Sequence, residues 1–116
     1  MADLTIDERV YRKTATQSLA TPLSITTAVS FDWQLAEVLV NLDATTNVDV
    51  ALTFDSKDGV DYDTVLFDEA FTGKSSLLIS VVTRTYFQAG DELKVIVTRT
   101  GGSAATAYVT IIGLYR

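Results

Sequence analysis

Four aspartates, Asp55, Asp58, Asp61 and Asp63, form the one concentration of hard-cation ligands in this chain. Carboxylate oxygens spread along a loop that contains a glycine, here Gly59, are the donors that calcium takes. The calcium-loop pattern, however, needs an oxygen ligand where Lys57 stands and a glutamate at the closing position, where there is none. The four aspartates therefore remain weak candidates for a metal, and a solvated hairpin tip is the competing expectation, with no metal and no cofactor. Glycosidase chemistry would need an acid and a base about 5 to 10 Å apart. The pairs Asp68–Glu69 and Asp91–Glu92 qualify by residue type alone. Neighbours on a strand point to opposite faces, so neither pair converges on a substrate. The chain has no histidine and no cysteine. Those two absences remove the commonest general base, any Ser-His-Asp or Cys-His nucleophile, and every thiolate or disulfide. The expectation is a protein that is not an enzyme.

Composition narrows the partners. With 47% hydrophobic and 21% charged residues in 116, the chain has the make-up of one globular domain rather than a disordered segment. A formal charge of -6 and a pI near 4.4 oppose binding to a phosphate backbone, so nucleic acid is not an expected partner. Apolar runs are only a few residues long, so no membrane partner is expected. The start, Met1-Ala2-Asp3-Leu4, lacks a basic region followed by an apolar core, which predicts synthesis in the cytoplasm without a signal peptide.

The elements that must position these residues all read as strands. Residues 92–100 put Leu93, Val95 and Val97 on one side, and residues 105–115 do the same with Ala107, Val109, Ile111 and Gly113. The turns Gln88-Ala89-Gly90-Asp91 and Gly101-Gly102-Ser103 bound them, predicting a closing hairpin. Residues 47–54 alternate Val48, Val50, Leu52 and Phe54 against Asp49, Ala51 and Thr53. Strands are also expected at 23–29, 61–68 and 75–83, with Ser56-Lys57-Asp58-Gly59 and Thr72-Gly73-Lys74 as turns. Gly101-Gly102-Ser103 has no following helix pattern and no Lys-Ser/Thr pair, so it is a hairpin tip and not a phosphate loop. The regular spacing predicts an all-β, antiparallel β-sandwich, jelly-roll-like, with about eight or nine strands.

Two segments depart from the simple pattern. Residues 1–22, ending at the only proline, Pro22, read as an extended amino-terminal arm carrying an edge strand around 8–15, ahead of a sandwich domain over 23–116. A frayed terminus is the alternative. The arm's apolar residues Leu4, Ile6, Val10 and Tyr11 are its expected partner contacts. Residues 33–42 are apolar on both faces, as in a central strand or one covered by a second subunit, with an amphipathic helix as the competing reading. Trp33, Leu35 and Leu39 are the expected oligomer interface. Among the aromatics, Trp33, Tyr62 and Tyr86 are the candidates for a sugar-stacking platform.

Three stretches together resemble a known group. They are Phe31-Asp32-Trp33-Gln34-Leu35-Ala36-Glu37-Val38; Leu52-Thr53-Phe54-Asp55-Ser56-Lys57 with Tyr62-Asp63-Thr64-Val65-Leu66; and Phe87-Gln88-Ala89-Gly90-Asp91-Glu92-Leu93. This order is similar to small β-sandwich proteins of tailed bacteriophages over about residues 31 to 100. The resemblance implies a virion protein without catalytic residues: a capsid decoration (cement) protein, or a head or tail accessory protein. It also implies homo-oligomers, a trimer favoured, and the major capsid protein or another virion protein as partner. A tail or fibre module binding a receptor carbohydrate is the alternative.

Overall fold

The computed structural model describes residues 9–115, leaving aside the side chains of residues 80–85. Six strands carry the fold: β1 (Arg9–Ser18), β2 (Leu23–Ala28), β3 (Trp33–Asp55), β4 (Thr64–Phe87), β5 (Glu92–Gly102) and β6 (Thr106–Tyr115). A single 3-10 turn, Val60–Tyr62, interrupts them.

Every pairing is antiparallel, and β3 and β4 are long enough to serve twice. From Trp33 to Leu42, β3 pairs with β6; from Thr46 to Asp55 it pairs with β5. Its other side stays on β4 throughout, through Leu77–Phe87 first and Thr64–Lys74 second. Adding β1 beside β6 and β2 beside β5 completes two four-stranded sheets. The first has the order β1, β6, β3 (first half), β4 (second half). The second has the order β2, β5, β3 (second half), β4 (first half). That connectivity is a jelly roll of eight strand segments, in which two bent strands each supply a segment to both sheets. The expected strand count holds when segments are counted, because β3 and β4 each run through the bend as one strand, their mutual register shifting between Asn41 and Thr46.

Alternation places the core. Leu23 and Ile25 on β2, Leu93, Val95 and Val97 on β5, and Ala107, Val109 and Ile111 on β6 are buried while their neighbours face outward. On β3 the buried face runs Val38, Val40, Leu42, Thr46, Val48, Val50, Leu52 straight across the bend. Ahead of it, Trp33 and Leu35 are buried in the opposite phase. A bulge between Leu35 and Glu37, opposite Ile112, shifts the alternation by one residue. This shift is why 33–42 looks apolar on both faces, and the segment is a central strand, not a helix.

The described part of the expected arm is β1, in unbroken register on β6 from Arg9↔Tyr115 to Ser18↔Thr106. Its inward residues Tyr11, Lys13, Ala15 and Gln17 are half-buried, and the Lys13 ammonium donates to the Thr26 carbonyl at 2.6 Å. Position 22 thus falls in the β1–β2 turn inside the sandwich. Leu4 and Ile6 lie outside the described residues.

Candidate functional site

The two outer faces of the sandwich differ in chemistry. The second sheet shows solvent Asp49, Asp55, Asp68, Glu92 and Lys94 among threonines, with Val65 and Ile96 as its exposed large apolar side chains. Lys94 Nζ pairs with Asp55 Oδ2 at 3.0 Å, and the hydrogen bond from that ammonium holds the Asp55 carboxyl below its usual range. Asp49 is pushed the other way, first by loss of solvent and then by the neighbouring Asp68 carboxylate. This is a solvated, acidic surface.

The first sheet presents the reverse. Cross-strand rows run Val10–Leu114–Gln34–Tyr86, then Arg12–Ile112–Glu37, then Thr14–Thr110–Leu39–Leu78, then Thr16–Tyr108–Asn41–Ser76. Val10, Leu78 and Tyr86 are 61%, 62% and 65% exposed, Tyr108 is 46% exposed, and Leu39, Ile112 and Leu114 are half-buried. Among the described residues in these rows the charged side chains are Arg12 and Glu37. Seven apolar side chains thus share this face with Gln34, Asn41, Ser76 and three threonines.

At one end of this face lies an open cleft of about 540 Å³, lined by Asp32, Trp33, Gln34, Tyr86, Phe87, Gln88, Leu114 and Tyr115. Trp33 forms its floor and not a platform. Its ring is 2% exposed, stacks on Phe87 at 4.6 Å and 20°, and leaves no room for a side chain at Gly113. Among the described residues its indole N–H has no hydrogen-bond partner.

Several expected site residues have other duties here. Trp33 and Leu35 are buried at 2% in the core of a single copy, so they cannot form an oligomer interface; the bulge after Leu35 turns them inward. Leu39 does reach the outer face. Val10 is outward on the apolar face, whereas Tyr11 turns in, packing on Phe31 at 6.0 Å and Trp33 at 5.6 Å. Tyr62 and Tyr86 stand at opposite ends of β4, and with Trp33 buried the three make no common platform.

The aspartate cluster is engaged in folding its own loop. Asp63 Oδ1 accepts the Ser56 N–H at 2.8 Å, Asp55 is paired with Lys94, and Asp58 and Asp61 point to solvent. The described residues hold no group of three such side chains placed for a metal ion. Asp91, expected as a turn residue and weighed with Glu92 as a carboxylate pair, is the organiser. At 4% exposure its Oδ1 accepts the Lys57 N–H at 2.9 Å and its Oδ2 the Gln88 N–H at 2.8 Å, tying two loops together.

No family model matches the chain, and no curated protein matches it by sequence. Solved structures similar in shape include three from different proteins. One is a chain of infectious bursal disease virus, Gx strain, at 13% identity and TM-score 0.45, over 99% of this chain and 39% of that one. Another is the Drosophila NLP core, from work on pentamer formation and histone binding, at 15% identity and TM-score 0.41, over 87% of this chain and 96% of that one. The third is the carbohydrate-binding module CBM36 with calcium and xylotriose, at 13% identity and TM-score 0.41, over 94% and 99% respectively. The chain spans about two fifths of the length of the viral chain it matches.

The sequence pointed to Leu39 and Val10 but missed Leu78, Tyr108, Ile112 and Leu114. The signal was present. Tyr108, Ile112 and Leu114 occupy the solvent phase of the strand whose buried phase is Ala107, Val109 and Ile111.

Proposed function

We propose that this chain is a structural virion protein of a tailed bacteriophage, a capsid decoration (cement) protein that is homo-oligomeric and binds the capsid lattice. The supporting observation is the apolar outer face of the first sheet on a compact jelly roll whose other outer face is acidic. Such a face favours a protein partner over solvent, and the resemblance over residues 31 to 100 points to the partner class. The segment ahead of β1 carries Leu4 and Ile6, the remaining arm residues that would contact the capsid.

Binding to capsids stripped of the protein tests this reading, with the wild type beside Leu78→Asp and a version lacking residues 1–8. Wild-type binding that either change abolishes assigns attachment to that element. Failure of the wild type to bind removes the head-decoration role.

The open cleft favours a second reading, a tail or fibre carbohydrate-binding module. Tyr86 offers an exposed ring there beside Gln34 and Gln88, the aromatic-plus-amide combination that stacks on and hydrogen-bonds a sugar. A glycan array with wild type and Tyr86→Ala separates the two: a signal lost in the variant supports the lectin role, and a blank array removes it.

A further inference from the structure

The apolar face is also matched to itself. Arg12 on β1 and Glu37 on β3 share one row and lie on either side of Ile112, two strands apart. At ~4.8 Å per strand they are roughly 10 Å from each other across the sheet. Neither forms an ion pair among the described residues. The outward row of β6 runs Tyr108, Thr110, Ile112, Leu114, apolar except at Thr110, with Ile112 between the two charges.

We propose that a second copy of this chain covers this face, related by a two-fold axis that runs along β6 between the copies. Such an axis reverses left and right across the sheet while keeping the position along the strand. Arg12 of each copy then faces Glu37 of the other, which is the reciprocal arrangement an isologous contact requires. Tyr108, Ile112 and Leu114 meet their own counterparts on the axis. The strands of the two copies remain aligned, as stacked sheets prefer. An axis along β1 or β3 would bring neither charge opposite its complement. Leu78 and Tyr86 on β4 lie beyond the overlap and stay open to a different partner. The inference rests on this face being covered and not on the virion role.

The contact involves a few hundred Å² per copy, at the small end for specific association, so the measurement belongs at high protein concentration. Sedimentation equilibrium of the full chain should show a monomer–dimer equilibrium. Arg12→Glu and Glu37→Arg should each raise the dissociation constant about tenfold or more, because each juxtaposes like charges twice per dimer. The combined variant R12E/E37R should return to within about threefold of wild type, since the facing charges are restored in reverse. Tyr108→Arg, at an exposed site that leaves the core intact, should abolish the dimer. A wild type that stays monomeric or forms a trimer overturns the proposal. So does a double variant no better than the single ones, or a Tyr108→Arg protein that still dimerises. Capsid binding is scored on separate samples: its absence with the dimer present removes the virion reading and leaves the two-fold pairing standing.

Discussion

Replacing Gly113 by alanine is the most demanding test of the core at the cleft. An added Cβ would lie 2.3 Å from Cε3 and 2.6 Å from Cζ3 of Trp33, and 3.0 Å from the Gln34 carbonyl oxygen. Ordinary contact begins near 3.4 Å, so the indole must retreat by roughly 1 Å. It has nowhere to go without loss, because Phe87 stacks on it at 4.6 Å and Tyr11 closes the adjacent side at 5.6 Å. The backbone at Gly113 is not in the left-handed region, so the whole penalty is steric. Overpacking of this kind costs about 1 to 3 kcal/mol, and the covered ring places Gly113→Ala at the upper end, ~3 kcal/mol. For a chain of this length that corresponds to a fall in Tm of about 10 °C. Chemical denaturation followed by fluorescence reads it directly, since Trp33 is the only tryptophan. In a Trp33→Phe background the second ring is gone, and the same change should cost less than about 1 kcal/mol. Gly101→Ala, which would meet only Asn47 Nδ2 at 3.4 Å, serves as the neutral control. A Gly113→Ala protein within about 1 kcal/mol of wild type, or a penalty unchanged by Trp33→Phe, would refute the close approach of backbone and indole.

Other outcomes follow from the same geometry. Asp91→Ala should lower stability by about 3 kcal/mol in urea titration, because it strands the Lys57 and Gln88 amides that a charged acceptor now satisfies. Thr46→Val should cost about 1 kcal/mol by the same measurement. The Thr46 hydroxyl lies 2.9 Å from the Gly101 carbonyl and 2.6 Å from that of Ser103, where β3 passes from β6 to β5. Asp68→Asn should raise Tm at neutral pH and lose that advantage on acidification. Asp49 carries a raised pKa, so its folded state gains protons first, and the repulsion relieved by the variant in neutral solution vanishes once Asp49 is protonated. Asp55 behaves oppositely. Its lowered pKa means that the stabilisation from Lys94 is present above the usual carboxylate range and disappears as pH falls through the lowered value, and Lys94→Met should flatten that part of the acid titration.

The sheet architecture was legible in the chain because period two survives wherever one face is buried. β2, β5 and β6 match their anticipated limits closely for that reason, but β5 and β6, anticipated as a closing hairpin, do not pair: each lies beside a different half of β3, in a different sheet. What escaped was the phase. Sequence alternation cannot locate a bulge, and the single extra residue near Ala36 reassigns Trp33 and Leu35 from an outer surface to the core. The edge strand expected around 8–15 is β1, but its continuation to Ser18 and its place in the sandwich escaped because Thr, Ala, Ser and Gln carry little apolar signal and the pairing with β6 is made by main-chain groups. The apolar outer face was visible only in part, since β4 and β6 become neighbours of β3 through pairings distant in sequence. The aspartate loop illustrates the converse case. Turn-forming residues were recognised as such: Asp63 accepts the Ser56 N–H and Asp55 is paired with Lys94, while Asp58 and Asp61 stay in solvent.

The passage of β3 and β4 through both sheets has a mechanical consequence. In a sandwich whose sheets meet only through side chains, a shearing load is borne by dispersion contacts, which yield a little at a time. Here two covalent backbones cross from one layer to the other at Leu42–Thr46 and Lys74–Leu77, with their mutual ladder of hydrogen bonds on either side of the bend. Sliding one layer over the other must bend or unzip that ribbon, so the two layers should yield to force together, in one step, rather than in succession.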